Sequence, residues 1–296
     1  MSERSTIGRP FFISINAAQL ISIYMSNYLI LNHLSIIKYV PFLFLIAIIL
    51  FLLLGWQHGK YRLKNNSNVI IRDSLATSIF GLSALVLGFT FASANDHFNK
   101  RINTIRSEAI SINKVYSSIK YLLPQDQVAA KKSLDSLVEI RLKTYVDINT
   151  EEDFDSRLTA LSNQVNTVNE VITSAIARAP SNTQNYANKI LAIQLGQLVQ
   201  AFEDGNLMAK DHPPAIIEHC LLVLLCVGSL LSGYAMAIHK EEDWFLTILY
   251  VGLMGFALFV IFSLEFPNQL FSYDTLNSDL LRVQRIHGTF IGNPSH

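Results

Sequence analysis

Hydrophobic residues in this chain follow two kinds of pattern, and the switch between them divides the sequence. In four blocks they run almost unbroken: Val40 to Trp56, Ser74 to Ala94, Ala215 to Ile238, and Trp244 to Leu264. Each block is about as long as a helix must be to cross the hydrocarbon core. Between the second and third blocks the apolar residues recur instead at alternating spacings of four and three. That period buries one stripe of a helix and leaves the rest to water.

The second block passes into the periodic region with no Gly or Pro break. No charged residue lies between Asp73 and Asp96. From there Phe98, Ile102, Ile105, Ala109, Ile112, Tyr116, Ile119 and Leu123 form a continuous seam. The spacing predicts one helix that leaves the membrane and runs on until Pro124 stops it. Carried back at heptad spacing, the seam reaches Phe91, Gly88, Ala84 and Gly81. Small residues at such positions let helices approach closely in lipid, so Ala84, Gly88 and Phe91 are expected to form a packing seam.

Three further soluble helices follow. One carries Leu134, Val138, Leu142 and Tyr145 and ends near Asn149. The next starts at the acidic run Thr150–Asp155, which the helix dipole favours, and carries Phe154, Leu158, Leu161, Val165, Val168, Ile172 and Ala175. After the break at 179–182, a third carries Ala187, Leu191, Leu195, Leu198 and Phe202 and ends around Asp204-Gly205. No strand period competes. With the extension of the second span, four helices go out and back, as in an antiparallel bundle.

Pro213-Pro214 opens the third span, with proline in the first turn that suits it, and the short His-Lys-Glu-Glu-Asp link makes spans three and four a hairpin. The expected fold is therefore an all-α membrane protein with four transmembrane helices and a long antiparallel helical bundle inserted between spans 2 and 3. Its expected segments are an N-terminal segment (1–38), spans 1 and 2 (39–94), the soluble bundle (95–212), the span 3–4 hairpin (213–266) and a C-terminal tail (267–296). Residues 10–31 are uncharged but carry Asn16, Gln19 and Asn27. They read as an extra interfacial helix, with a full span as the alternative. The tail is at best amphipathic and holds no recognisable domain.

Composition sharpens this picture. Half of the 296 residues are apolar, and 23 basic residues balance 23 acidic ones, so no net charge points to nucleic acid. Cys220 and Cys226 lie in one apolar segment without companion ligands and read as small helix-facing residues. The group His212, Glu218 and His219 sits at a membrane boundary, where polar anchors are ordinary, so no metal site and no cofactor is expected. There is no Gly-rich phosphate loop, no His-Glu-x-x-His and no nucleophile signature, and hence no catalytic residue to name. Basic residues near the span ends, including Arg4, Arg9, Lys38, Lys100 and Arg101, favour a cytoplasmic bundle. Lys60, Arg62, Lys64 and Arg72 in the first loop pull the other way.

The interiors of the spans carry no ionisable group, which argues against a coupled transporter. An uncoupled pore needs none, because a hydrophobic constriction with hydroxyls and aromatic edges passes weakly hydrated anions.

At Val86–Phe91 followed by Asp96–Arg101, the sequence resembles the bestrophin-like family of bacterial membrane proteins. Other short matches occur in order over roughly residues 56 to 275: Arg106-Ser107-Glu108-Ala109, Tyr121-Leu122-Leu123-Pro124, Tyr145-Val146-Asp147 and Leu264-Glu265-Phe266-Pro267. True bestrophins, more distantly similar, are pentameric anion channels. Their second span has a Val-Leu-Gly-Phe core, similar to Val86-Leu87-Gly88-Phe89, and an aromatic-Asn-basic exit, similar to Phe98-Asn99-Lys100.

The resemblance implies a homo-oligomer, by analogy a pentamer, in the bacterial inner membrane. It would pass inorganic anions of the chloride type, with membrane lipid as its other partner. The neck positions carry over to Gly81, Leu85 and Phe89, and Ser78 adds a hydroxyl to the same lining. Only Phe89 of the three is aromatic, and no acidic cluster follows the fourth span, so a calcium clasp is not implied. The alternative is a non-conducting membrane sensor or scaffold whose helical bundle binds a partner.

Overall fold

In the computed structural model of the protein, the described residues are 39–65, 73–146, 148, 150–210, 215–239, 243–266 and 272–288. The N-terminal segment with its expected helix at 10–31, Arg72, His212 and Pro213-Pro214 lie outside them. All the regular structure of the described residues is helical. The elements are α1 (Val40–Asn65), α2 (Asp73–Ser118), α3 (Pro124–Lys143), α4 (Glu151–Ala177), α5 (Ala192–Lys210), α6 (Ala215–His239), α7 (Trp244–Glu265) and α8 (Ser278–His287). Four of them, α1, α2, α6 and α7, are long and apolar enough to cross a membrane. This is the expected four-span architecture with a helical bundle between the second and third spans.

Helix α2 is the expected continuous rod of 46 residues. It tightens into a 3₁₀ turn, Ile119–Tyr121, before Pro124 starts α3 at its favoured first position. Thr150 caps α4, its side chain accepting from the Asp153 amide. The soluble seams meet in one core: Ile112 from α2, Leu134 and Leu137 from α3, Val168 and Ile172 from α4, and Leu198 from α5 are fully buried.

Several boundaries differ from the sequence reading. Helix α3 stops at Lys143, because Arg157 of α4 donates to the carbonyls of Lys143 and Val146 and turns the chain there. A π-helical turn, Ala187–Leu191, precedes α5, and it keeps Ala187 and Leu191 both in the core. Helix α5 runs through Gly205 to Lys210 instead of ending at the glycine. The tail is structured too: Leu276, Leu280 and Val283 are buried, and the last two join the bundle core.

In the membrane part, the closest helix contact is α1 with α6. A Cβ on Gly55 would stand 2.0 Å from the Leu230 carbonyl oxygen, and one on Gly233 would stand 2.0 Å from that of Leu52. Gly59 faces Ala237 one turn further on. Small residues on both helices bring the backbones together, the means by which helices associate in lipid without a hydrophobic driving force. A small apolar core of Ile48, Leu221, Leu225 and Leu258 joins α1, α6 and α7, with Val86 and Leu87 of α2 packed against it.

Gly233→Val should destabilise the protein by about 3 kcal/mol or more, since backbone atoms cannot yield as a side chain can. Thermal unfolding in detergent, compared with Gly252→Ala, where an added Cβ meets nothing within 4 Å, measures the difference.

Candidate functional site

The candidate site is the membrane part of α2, and its orientation follows from helix period. The buried soluble seam continues into the membrane at 3.6 residues per turn through Ala94, Thr90, Leu87 and Ser83. The Ser83 hydroxyl donates to the Ile79 carbonyl at 2.8 Å and reaches that of Leu224 on α6 at 3.4 Å. Phe80 packs beside Gly228 of α6, 3.5 Å from where its Cβ would be. Heptad extrapolation goes astray because a straight helix drifts by about 20° per heptad. Four heptads separate Ala109 from Gly81, so the error reaches roughly 80°.

The residues expected to line a pore or form a seam all lie on the outer arc of α2. Ser78, Gly81, Ala84, Leu85, Gly88, Phe89 and Phe91 are exposed, Leu85 and Phe89 to 54% and 67%. A Cβ at Gly81 or Gly88 would meet nothing within 4 Å. At about 100° per residue, Phe91 to Phe89 span roughly 160° around the helix. Ala84, Gly88 and Phe91 occupy one flank, Ser78, Leu85 and Phe89 the other, with Gly81 between. Within the chain the arc packs against no other helix at the two glycines.

Where α2 leaves the membrane, charges gather. Arg101 donates to the backbone carbonyl of Glu265 and pairs with its carboxylate at 3.5 Å, which pins the end of α7 to α2. Two turns on, Arg141 Nε of α3 donates to Glu108 Oε2 at 2.7 Å, with both side chains almost wholly buried. The guanidinium lies over the Tyr145 ring, 4.7 Å from its centroid. Burial pushes the Glu108 carboxyl above the ordinary carboxylate range, and Arg141 pulls it back. Arg141 remains a cation: burial disfavours the charge, but Glu108, with Tyr145 and Tyr273, more than offsets it.

Gly205 completes this cluster. A Cβ there would stand 2.3 Å from Glu108 Oε1, so α5 needs glycine to admit the carboxylate. The sequence motifs at Arg106–Ala109, Tyr145–Asp147 and Leu264–Pro267 thus contribute Glu108, Tyr145 and Glu265 to one junction between membrane and bundle. Arg101, Arg141 and Gly205 were not singled out in it from sequence. An arginine at a core position of the α3 pattern was the signal for Arg141, and a glycine, one of two in α5, was that for Gly205.

No protein-family model matches the chain. Nor does any curated protein. Solved structures do. Two crystal structures of a bacterial bestrophin homologue from Klebsiella pneumoniae superpose with TM-scores of 0.63 and 0.62 at 11% identity, covering 82–83% of this chain and 98–99% of theirs. A third, described only as a membrane protein, gives 0.64 at 11% identity and covers 83% of this chain and 99% of its own.

The chain has a bestrophin-like fold. Its four long apolar helices mark a multi-pass membrane protein, with the helical bundle inserted between the second and third. The outer arc of α2 and the Glu108 cluster are the features that this fold sets at the membrane and at its border.

Glu108→Gln should cost about 3–5 kcal/mol, because it strands the buried Arg141 charge. Glu108→Met combined with Arg141→Met should cost less than either single change. Thermal melts of the native protein, Glu108→Met, Arg141→Met and the double variant, run beside Glu108→Gln, test this in a double-mutant cycle.

Proposed function

We propose that the chain assembles into a homo-oligomeric channel for inorganic anions of the chloride type, with α2 lining the pore. The outer arc of α2 carries this reading. Apart from Ser78 it is apolar along its membrane length, presents Leu85 and Phe89 on one flank and Ala84 and Gly88 beside Phe91 on the other, and meets nothing within 4 Å where its glycines would carry a Cβ. Lipid gives no reason to set Gly81, Ala84 and Gly88 together, whereas a neighbouring helix does. A ring of α2 helices would contact its neighbours through Ala84, Gly88 and Phe91 and turn Ser78, Leu85 and Phe89 to the axis. The likeness to bestrophin homologues supports the arrangement, and the five-fold count follows the same analogy.

Leu85 and Phe89 lie one turn apart and form an apolar neck that hinders water and ions until the helices separate. Ser78 supplies a hydroxyl, and the neutral walls need no coupling proton or cation. The chain would sit in the bacterial inner membrane, with the bundle on the cytoplasmic side.

Leu85→Ala with Phe89→Ala should raise chloride flux into proteoliposomes on the order of tenfold, equivalent to about 1.4 kcal/mol off the barrier. Leu253→Ala on the exposed face of α7 should leave the flux unchanged. If neither the native nor the doubly substituted protein passes chloride from well-inserted vesicles, the channel reading fails and a sensor or scaffold takes its place. Assembly is tested separately: Gly88→Leu should force neighbouring α2 helices apart and shift the native mass toward monomer. An unchanged mass would put the subunit contact on another face.

A further inference from the structure

At the border of the membrane, α2 and α5 form a groove of about 700 Å³, a size ordinary for small-ligand sites. Its walls include Lys100, Asn103 and Thr104 of α2 and Asp204, Leu207 and Lys210 of α5. The two helices come close there because Gly205 has no side chain; a Cβ on it would stand 3.4 Å from Thr104 Cγ2. Helix α2 runs out of the membrane and α5 runs back toward it, which orders the charges. Lys100 lies one turn past Asp96, the first charge after the span, about 6 Å along the axis. That is within the headgroup layer, which adds about 5–8 Å outside the hydrocarbon core. Lys210 lies five residues before Ala215, where α6 begins. Asp204 is six residues back along α5, about 9 Å further from the membrane. The cations therefore come first and the carboxylate after.

Each lysine already has one carboxylate: Lys100 Nζ is 2.7 Å from Asp96 Oδ2, and Lys210 Nζ is 2.8 Å from Asp155 Oδ1. All four side chains are more than half exposed, so the pairs hold weakly, and an ammonium has three N–H donors to give. Asp204 belongs to neither pair and has no ion-pair partner among the described residues. The Thr104 hydroxyl donates to the Lys100 carbonyl at 2.9 Å, which leaves its oxygen as an acceptor. Leu207, exposed to 72%, gives the groove an apolar wall between Asp204 and Lys210.

We propose that this groove binds the headgroup of a phospholipid that carries a primary ammonium, a phosphoethanolamine. The phosphate, joined to glycerol and so nearer the membrane, meets Lys100 and Lys210. The ammonium, further out, donates to Asp204 and to the Thr104 oxygen. Leu207 packs on the two methylenes between them. With Asp96 and Asp155 included, three carboxylates face two ammoniums, so the groove does not gather a net anion such as phosphatidylglycerol. A choline headgroup has the same charges but no N–H, and it would cover the Asp204 and Thr104 oxygens without giving them a donor. The site does not rest on the channel reading.

Native mass spectrometry of the full-length protein in detergent, titrated with dioleoyl lipids, tests the site. Phosphatidylethanolamine should bind at least about tenfold tighter than phosphatidylcholine, the worth of one hydrogen bond to a charged group, and tighter than phosphatidylglycerol. The N-methyl and N,N-dimethyl lipids should fall between, in that order, as donors are removed one at a time. Asp204→Ala, an exposed helical position where alanine is well tolerated, should abolish the preference over choline. Lys100→Gln with Lys210→Gln should weaken both lipids together. Equal binding of the ethanolamine and choline lipids, tighter binding of phosphatidylglycerol, or a preference undiminished in Asp204→Ala overturns the proposal. If Asp204→Ala does not fold, the methylation series on the native protein decides: a stepwise fall supports the site, and a flat series overturns it.

Discussion

Two opposite charges removed from water must have each other, and that requirement ties the bundle to the membrane helices. Glu108 and Arg141 are both sheathed by protein, so neither can be moved alone without leaving a bare charge in an apolar place. Their contact fixes the register of α2 against α3. Because Glu108 also fills the space beside Gly205, it fixes α5 as well. Arg101 on the same helix grips the end of α7, and the Tyr273 hydroxyl donates to the Leu142 carbonyl just past Arg141. Four segments far apart in sequence therefore meet along a short length of α2. Apolar seams alone would tolerate sliding by a turn; this cluster does not.

The helices of the bundle were legible in the sequence because the chain repeats one physical demand many times. Ile112, Leu134, Leu161, Val168, Ile172 and Leu198 each occupy a position that must be dry, and all are buried. The four spans were legible for the complementary reason, since a helix in lipid hides its backbone and has no need of an amphipathic stripe. What failed was carrying register across the border between the two solvents. A heptad describes helices that coil around each other, and α2 follows the straight-helix period instead, from Ile112 back to Ser83. Gly81, Ala84 and Gly88 thereby come to lie outward.

Other features left little trace. Gly55 and Gly233 sit in apolar runs where a glycine has no distinguishing neighbours, yet they carry the nearest approach of two backbones in the molecule's membrane part. Gly205 looked like a helix end because glycine often is one; the carboxylate that claims its space comes from a residue in another helix. The short tail helix hides because ten residues offer too few turns for a period to stand out. For the candidate site, sequence supplied the residues and their chemistry. That they gather on one outward side of α2 is a matter of register, which a heptad carried through four repeats misplaces.

The length of α2 has a mechanical consequence. At 46 residues and 1.5 Å per residue it is a rod of about 69 Å, with no proline or glycine between Phe89 and Ser118 to act as a swivel. A stiff rod transmits torsion. A twist applied at its soluble end, where Arg106 is held by Asp279, meets no such break on its way to Leu85 and Phe89.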